Sequence, residues 1–142
     1  METSSIAGIL GGESVLHRQI RNSLDLFELS SEGVSKDALS HLAKFLRFTM
    51  SQMAELLPVS ARTIQRKAPC DLLDRAVSER ILLIAEVAAR GIEAFEDEAK
   101  FRAWLKLPHA VFGLTPLELL KSSFGARMVL DELARIEHGV FS

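Results

Sequence analysis

A chain of 142 residues, with 48% hydrophobic and 25% charged residues, is long enough for one globular domain or for two small domains that share a core. Its longest apolar run, residues 81–85, is too short to cross a membrane, and no Lys or Arg precedes the apolar residues 6–10 as in a signal peptide, so we expect a cytoplasmic protein without membrane contact. The formal net charge of −2 argues against a nucleic-acid-binding protein unless basic residues are concentrated in one region, and the single Cys70 excludes an internal disulfide and is expected to be a small buried hydrophobe.

The N-terminal third predicts a flexible arm followed by two helices. Residues 1–13 mix Ser, Gly and small apolar residues without a clear period, which is typical of a loosely ordered arm. From Glu13 to Leu29, apolar residues recur every three or four positions and predict one amphipathic helix. After a polar break, Ser35 is placed to cap the next helix. The apolar faces consist of Leu16, Ile20, Leu24 and Phe27 in the first helix, and of Ala38, Leu42, Phe45 and Leu46 in the second.

Two short helical patterns joined by a tight turn span residues 49–67. The turn lies at residues 57–59, and Ser60 is placed to cap a second helix, Ala61 to Lys67. This arrangement is typical of a helix-turn-helix, whose second helix enters the major groove of DNA. Its polar side chains are either a solvated face or the DNA contacts. The expected contacts are Arg62, Gln65 and Arg66 on bases, and Ser60, Thr63 and Lys67 on phosphates.

The basic charge is concentrated in the same region. Residues 36–67 hold six Lys or Arg and two acids, whereas the rest of the chain holds 11 Lys or Arg and 17 acids. A local charge of +4 in an otherwise acidic chain favours DNA contact over a merely solvated surface.

The C-terminal half shows helical periods only. Pro69 ends the second helix of the motif, and Ser78 is predicted to begin a long helix whose apolar stripe runs from Ile81 to Phe95. An acidic turn at residues 96–98 separates it from a shorter helix at residues 99–107.

The end of the chain carries strong helix signals. After a loop at residues 108–114, the Thr115-Pro116-Leu117-Glu118 sequence is typical of a helix start. Gly125 is predicted to interrupt the chain before a last helix at residues 126–138, which Gly139 ends in a left-handed turn. No strand alternation is present, so we expect an all-α fold of seven or eight helices in two halves that meet near residues 69–78.

The sequence shows no set of residues that would make an enzyme or a metal site. The four histidines are scattered, no His lies beside Ser122 and Ser123 to act as a base, and no Lys-Ser or Lys-Thr pair follows Gly12. We therefore expect no catalytic residue, no metal ion and no cofactor.

The two halves together resemble the Xre/MbcA/ParS antitoxins, the partners of RES-domain toxins. The first half carries ALSHLAKFL and MAELLPVSARTIQRK, and the second carries SERILLIAEVAARGIEAFEDEAKFRAWLKLP and GLTPLELLKSSFGARMVLDELARIEHGVF. The resemblance implies a DNA-binding and dimerisation domain at residues 14–70 and a toxin-binding domain at residues 71–142. It also implies that the partner toxin degrades NAD, that the antitoxin covers the toxin's active site, and that it represses its own operon.

The toxin-binding residues are expected at the end of the chain and at aromatic residues beside glycines or in loops, which are either interface or core residues. Phe95, Phe101 and Trp104 are expected in the core, because aromatic residues at helical spacing usually pack there. The tail after Gly139 is expected to dock at the mouth of the toxin's NAD pocket. The expected toxin-binding set is Phe112, Phe124, Arg135, Glu137, His138, Val140, Phe141 and Ser142.

A homodimer is expected, because a helix-turn-helix that binds a two-fold operator needs two copies. The apolar stripes at residues 16–27 and 81–95 offer surface for such a contact. Two other hypotheses remain: a plain transcriptional regulator whose C-terminal helices dimerise or sense a ligand, and a small enzyme, which the lack of an acid, base or metal set disfavours.

Overall fold

The computed structural model describes the secondary structure of residues 2–139 and the side chains of residues 6–139. This part of the chain is helical and contains no β-strand, and the all-α prediction is confirmed. It contains α1 (Glu2–Ile9), α2 (Glu13–Leu16), α3 (Ser23–Glu32), α4 (Lys36–Leu46), α5 (Met50–Glu55), α6 (Ala61–Gln65), α7 (Arg75–Phe95), α8 (Glu98–Leu105), α9 (Pro116–Leu119) and α10 (Ser123–Glu137).

The long helix α7 is the centre of the fold. Asp74 caps its first turn by accepting a hydrogen bond from the Val77 amide at 2.9 Å, so the helix begins before the predicted Ser78. It packs against α1, α3, α8 and α10, and its residues 81–85 are all buried. The apolar stripe expected to be free for dimerisation is therefore largely covered within the chain.

The N-terminal segment, predicted to be a flexible arm, contains a helix. Residues 2–9 form α1, which lies against α7 with Ile6 and Leu10 almost fully buried. These two apolar residues are four positions apart and so share one face of a helix. The Gly and Ser residues around them hid this short pattern, because the surface that buries Ile6 and Leu10 comes from a helix some 70 residues later in the chain.

The single helix predicted between Glu13 and Leu29 is also wrong. It is broken into α2 and α3, with His17 in the left-handed conformation at the end of α2 and Asn22 capping α3. Arg18 holds the break by donating to Asp25 at 3.0 Å and to Glu28 at 2.9 Å. Two residues of the predicted apolar face, Leu24 and Phe27, are 60% and 62% exposed.

The segment between α6 and α7 is tied to the start of α4 by its backbone. The Lys36 amide donates to the Asp71 carbonyl at 3.0 Å, and the Leu73 amide donates to the Val34 carbonyl at 2.8 Å. The buried Ser78 hydroxyl donates to the Leu73 carbonyl, which fixes the segment against α7. Cys70 lies in this segment and is exposed, contrary to the expectation of a buried residue.

The predicted break at Gly125 does not occur. Ser122 accepts a hydrogen bond from the Gly125 amide at 2.8 Å and caps α10, so Gly125 belongs to the first turn of that helix. A Cβ atom on Gly125 would lie 1.9 Å from the Leu119 carbonyl oxygen. The glycine is therefore required by the close approach of α9 to α10, and not by a turn.

Candidate functional site

The helix-turn-helix is built by local capping. Thr49 and Gln52 form a capping box at the start of α5, with bonds of 2.8 and 3.1 Å between each side chain and the other residue's amide. Ser60 accepts a hydrogen bond from the Thr63 amide at 3.1 Å and so caps α6 as predicted. Ile64 is buried and fixes the inner face of α6, which leaves the other face to solvent.

The outer face of α6 presents the predicted DNA-contacting residues. Arg62, Gln65 and Arg66 are exposed, and Arg62 and Arg66 are four positions apart on one side of the helix. Thr63 is also exposed, but its hydroxyl lies 2.9 Å from the Ser60 hydroxyl, so both take part in the cap. Lys67 is half-buried just beyond the helix. The structure thus brings the six residues together, and their assignment to bases and phosphates stays a prediction.

One further basic residue lies beside this set. The Lys36 ammonium donates to the Lys67 carbonyl at 3.0 Å, which places the start of α4 next to the end of α6. Lys36 belongs to the basic region of the sequence, but no local pattern predicts its contact with the end of α6, because 31 residues separate the two lysines.

A second exposed surface is formed by residues 107–114, between α8 and α9. We call this segment the apolar loop. Leu107, Val111 and Leu114 are 59%, 77% and 46% exposed. The loop closes on itself through the His109 amide, which donates to the Leu114 carbonyl at 2.9 Å, and through the Gly113 amide, which donates to the His109 carbonyl at 2.8 Å.

His109 fixes the apolar loop to α10. Its Nε2 atom lies 3.0 Å from a carboxylate oxygen of Glu132, and its Nδ1 atom accepts from the Val111 amide at 3.1 Å. A neutral imidazole with its proton on Nε2 satisfies both contacts. The Phe112 ring stacks on the imidazole with the ring centres 4.5 Å apart. The contacts of His109 therefore fix the loop that exposes the three apolar side chains.

Glu132 connects His109 to the charged end of α10. Burial raises the pKa of the Glu132 carboxyl, but hydrogen bonds from Arg135 and His109 outweigh this effect, so its pKa lies below the usual value. Sequence analysis missed both His109 and Glu132 as site residues. The two are 23 positions apart, and neither spacing nor charge pattern relates them.

The predicted toxin-binding residues do not all lie in one place. Phe112, Arg135, Glu137 and His138 lie at or near the apolar loop and the last turns of α10, where Gly139 has a φ of 68° and ends the helix as predicted. Phe124 is 80% exposed in the first turn of α10, 11 residues or roughly 16 Å before Arg135. Val140, Phe141 and Ser142 lie outside the described residues.

The aromatic residues expected in the core are found there. Phe101 is fully buried, and Phe95 and Trp104 pack against the core with their ring centres 5.4 Å apart. A Cβ atom on Gly91 of α7 would lie 2.2 Å from the Phe101 ring, so the glycine makes room for it.

Two arginines tie α4 and the helix-turn-helix to the C-terminal helices. Arg80 of α7 donates to the Leu56 carbonyl at 3.0 Å and to the Lys121 carbonyl at 2.7 Å, and burial lowers the pKa of its guanidinium. Arg102 of α8 donates to the Phe45 carbonyl at 2.9 Å. Both surfaces therefore belong to one connected body, and the division predicted at residues 70 and 71 stays a prediction.

No helix among residues 2–139 is long and apolar enough to cross a membrane. No group of three His, Cys, Asp or Glu side chains in that range is arranged to hold a metal ion.

Comparison with known proteins separates the same two regions. The antitoxin Xre-like helix-turn-helix domain matches residues 25–86, and the antitoxin Xre/MbcA/ParS C-terminal toxin-binding domain matches residues 90–139. A protein of Yersinia enterocolitica named antitoxin Xre is 27% identical over 113 residues, which cover 78% of this chain and 76% of that protein. The two matches lie in the expected order and meet within α7, and the chain belongs to the Xre/MbcA/ParS family of antitoxins.

Proposed function

We propose that this antitoxin neutralises an NAD-degrading RES-domain toxin by covering its active site, and that it represses its own operon through α6. The resemblance carried by both halves supports the choice of toxin class. The observation that supports the toxin contact is the interaction of His109 with Glu132, which holds the apolar loop beside the charged end of α10.

The proposed toxin contact combines an apolar and a charged part. Leu107, Val111 and Leu114 supply apolar area on a loop whose backbone is held by internal hydrogen bonds. Such a loop loses little conformational freedom on binding, which favours affinity. The exposed Arg135, Glu137 and His138 lie at the end of α10 and supply the polar contacts that orient a partner.

The tail after Gly139 is the segment that we propose to block the toxin's NAD pocket. The left-handed conformation of Gly139 ends α10 seven residues after Glu132, which contacts His109 of the apolar loop. Phe141 would then act as an aromatic anchor at the mouth of the NAD pocket, with Val140 and Ser142 on either side. A large aromatic side chain at the centre of a contact is the usual source of interface affinity.

The proposed DNA contact uses the outer face of α6. Arg62 and Arg66 project from one side of a short helix at the edge of the protein, within the basic region of the sequence. Guanidinium groups pair bidentately with guanine in the major groove. As the operator would be two-fold, two copies of the chain would bind it together.

Co-expression with a RES-domain toxin tests this function. The expected result is a stable complex whose measured mass contains both chains, and a toxin that no longer consumes NAD. A chain truncated after Gly139 separates the parts of the contact: it should still bind through the apolar loop but should inhibit less. If no complex forms while the chain still binds its operator, the protein is a plain transcriptional regulator.

A further inference from the structure

The chain that follows α6 is held by the start of α4, through both the side chain and the backbone of Lys36. The Lys36 ammonium donates to the carbonyl of Lys67, two residues after α6 ends, at 3.0 Å. The Lys36 amide donates to the Asp71 carbonyl at 3.0 Å, and the amide of Asp37 donates to the Pro69 carbonyl at 2.8 Å. The segment after α6 therefore accepts three hydrogen bonds from two consecutive residues of α4.

These bonds use amides that the start of α4 leaves without a partner. The first amides of a helix have no acceptor inside the helix itself. In α4 the amides of Lys36 and Asp37 reach the segment after α6, and the Ala38 amide donates to the Ser35 hydroxyl that caps the helix. The first three amides of α4 are thus all satisfied, two of them by the segment that leaves α6.

Packing contributes little to the position of this segment. Residues 68–72 are all exposed, and Pro69, Cys70 and Leu72 line a groove of about 310 Å³. The helix α6 itself has five residues, of which Ile64 is buried. A helix this short is not stable without contacts from elsewhere in the protein. We therefore expect the hydrogen bonds from α4 to set the position of its last turn.

We propose that Lys36 is a positioning residue for the DNA contact: its ammonium fixes the end of α6, and with it the direction in which Arg62 and Arg66 project. Arg66 directly precedes Lys67, whose carbonyl accepts the bond from Lys36. Bidentate pairing with guanine requires two hydrogen bonds of normal length at once, so a shift of about 1 Å at the end of α6 is enough to break it. This inference rests on the proposed operator binding, and it names a residue outside the helix-turn-helix that determines its sequence specificity.

The two acids beside Lys36 have contacts of their own. The Asp71 carboxylate accepts a hydrogen bond from the Ala68 amide at 2.8 Å, and an oxygen of the Asp37 carboxylate lies 3.7 Å from Nδ1 of His41. The carbonyls at the end of a helix carry a partial negative charge, which a nearby cation stabilises. The ammonium of Lys36 therefore stabilises the end of α6 without any contact to a phosphate.

The test measures the affinity of the full chain for operator DNA and for DNA of unrelated sequence. Lys36→Met removes the ammonium but keeps a long side chain and the backbone bonds. The control is Lys44→Met, which removes the same charge from an exposed position in the last turn of α4. Lys36→Met should lower the ratio of operator affinity to unrelated affinity about tenfold, because only base contacts depend on the direction of α6.

Two comparisons separate positioning from charge. Lys44→Met should lower both affinities alike and leave their ratio unchanged, since it weakens only the general attraction to phosphates. Lys36→Arg can still donate to the Lys67 carbonyl and should restore most of the ratio.

Amide hydrogen exchange of the free protein tests the same role without DNA. The amides of Arg66 and Lys67 donate to the carbonyls of Arg62 and Ile64 within α6. They should exchange roughly tenfold faster in Lys36→Met than in wild type, because the end of α6 opens more often. The amides of α10 should exchange at wild-type rates in both variants, which shows that the rest of the fold is intact.

Three results would overturn the proposal. The first is an unchanged exchange rate at Arg66 and Lys67, and the second is an affinity ratio that Lys36→Met and Lys44→Met change equally. The third is a weaker salt dependence of binding in Lys36→Met alone with an unchanged ratio, which would make Lys36 a direct phosphate contact. A wild-type chain that binds all DNA sequences equally would refute operator binding, while faster exchange in Lys36→Met would still show that Lys36 fixes α6.

Discussion

His109 and Glu132 join a loop and a helix that are far apart in sequence: Nε2 of the imidazole lies 3.0 Å from a carboxylate oxygen of Glu132. Their side chains are only 12% and 15% exposed, so solvent screens the contact poorly. Because Nδ1 of the same ring accepts the Val111 amide, one side chain fixes both the position and the internal shape of the apolar loop.

We expect His109→Ala to weaken toxin binding about tenfold, because the apolar loop would have to be ordered on binding. The free energy of unfolding should fall by about 1–2 kcal/mol, since Glu132 and the Val111 amide lose a partner. His41→Ala is the control, because His41 bonds only within its own helix. Calorimetric titration of toxin measures the effect, and equal affinities for the two variants would contradict it.

Acid should destabilise the protein through Glu132 and Asp25. A hydrogen bond from the Arg21 amide is the main cause that lowers the pKa of Asp25, and the bonds from Arg135 and His109 lower that of Glu132. Both groups therefore bind a proton more readily in the unfolded chain than in the folded one. Their stabilisation is complete well above the usual values of 3.8 and 4.5 and is lost as the pH falls below them.

Melting temperatures between pH 7 and pH 3 measure this effect. Asp25→Asn and Glu132→Gln should melt below wild type at pH 7, and the difference should shrink as the pH falls. A constant difference across the range would show that the carboxylate charge is not the cause.

We expect Arg62→Ala with Arg66→Ala to abolish operator binding and to leave toxin neutralisation intact. Each lost base contact costs about 1–3 kcal/mol, and neither residue belongs to the apolar loop or to α10. The charge-matched control is Arg75→Ala with Lys100→Ala, both exposed outside α6. A gel shift with equal loss in both double variants would mean that net charge, and not α6, determines binding.

Two glycine substitutions should distinguish the effect of packing on the free energy of unfolding from the effect of helix propensity. Gly125→Ala should cost about 3 kcal/mol of unfolding free energy, because its Cβ would meet the Leu119 backbone. Gly8→Ala, in α1, has nothing within 4 Å of its new Cβ and should gain about 0.5–1 kcal/mol. Chemical denaturation of both variants measures these changes, and a neutral Gly125→Ala would contradict the close approach of α9.

Local hydrogen bonding made part of this structure predictable. Ser35, Ser60 and Thr115 cap helices as predicted, because a cap is formed between residues three positions apart. The same locality explains why α6 and its exposed donors were found. The break between α2 and α3 and the burial of Ile6 depend on distant partners, which no local pattern describes.

The C-terminal surface shows the same limit. The sequence predicts residues 107–114 only as a loop, because the surface that they form depends on the contact of His109 with Glu132, 23 residues later on α10. Residue type places Phe124 in the same expected toxin-binding set as the last turn of α10, whereas the length of α10 separates the two. Residue type identifies candidates, and the path of the helices decides which of them meet.

The helix α7 has a consequence for the whole assembly. Its 21 residues extend over roughly 31 Å and contact α1, α3, α8 and α10, and Arg80 ties the helix to the carbonyls of Leu56 and Lys121. The contacts of α7 and Arg80 hold the toxin-binding domain and the helix-turn-helix in one arrangement in this structure. If α6 binds the operator as proposed, a toxin bound to this antitoxin would keep one orientation relative to the DNA. The spacing of the operator half-sites would then determine whether two toxin-bound copies fit side by side.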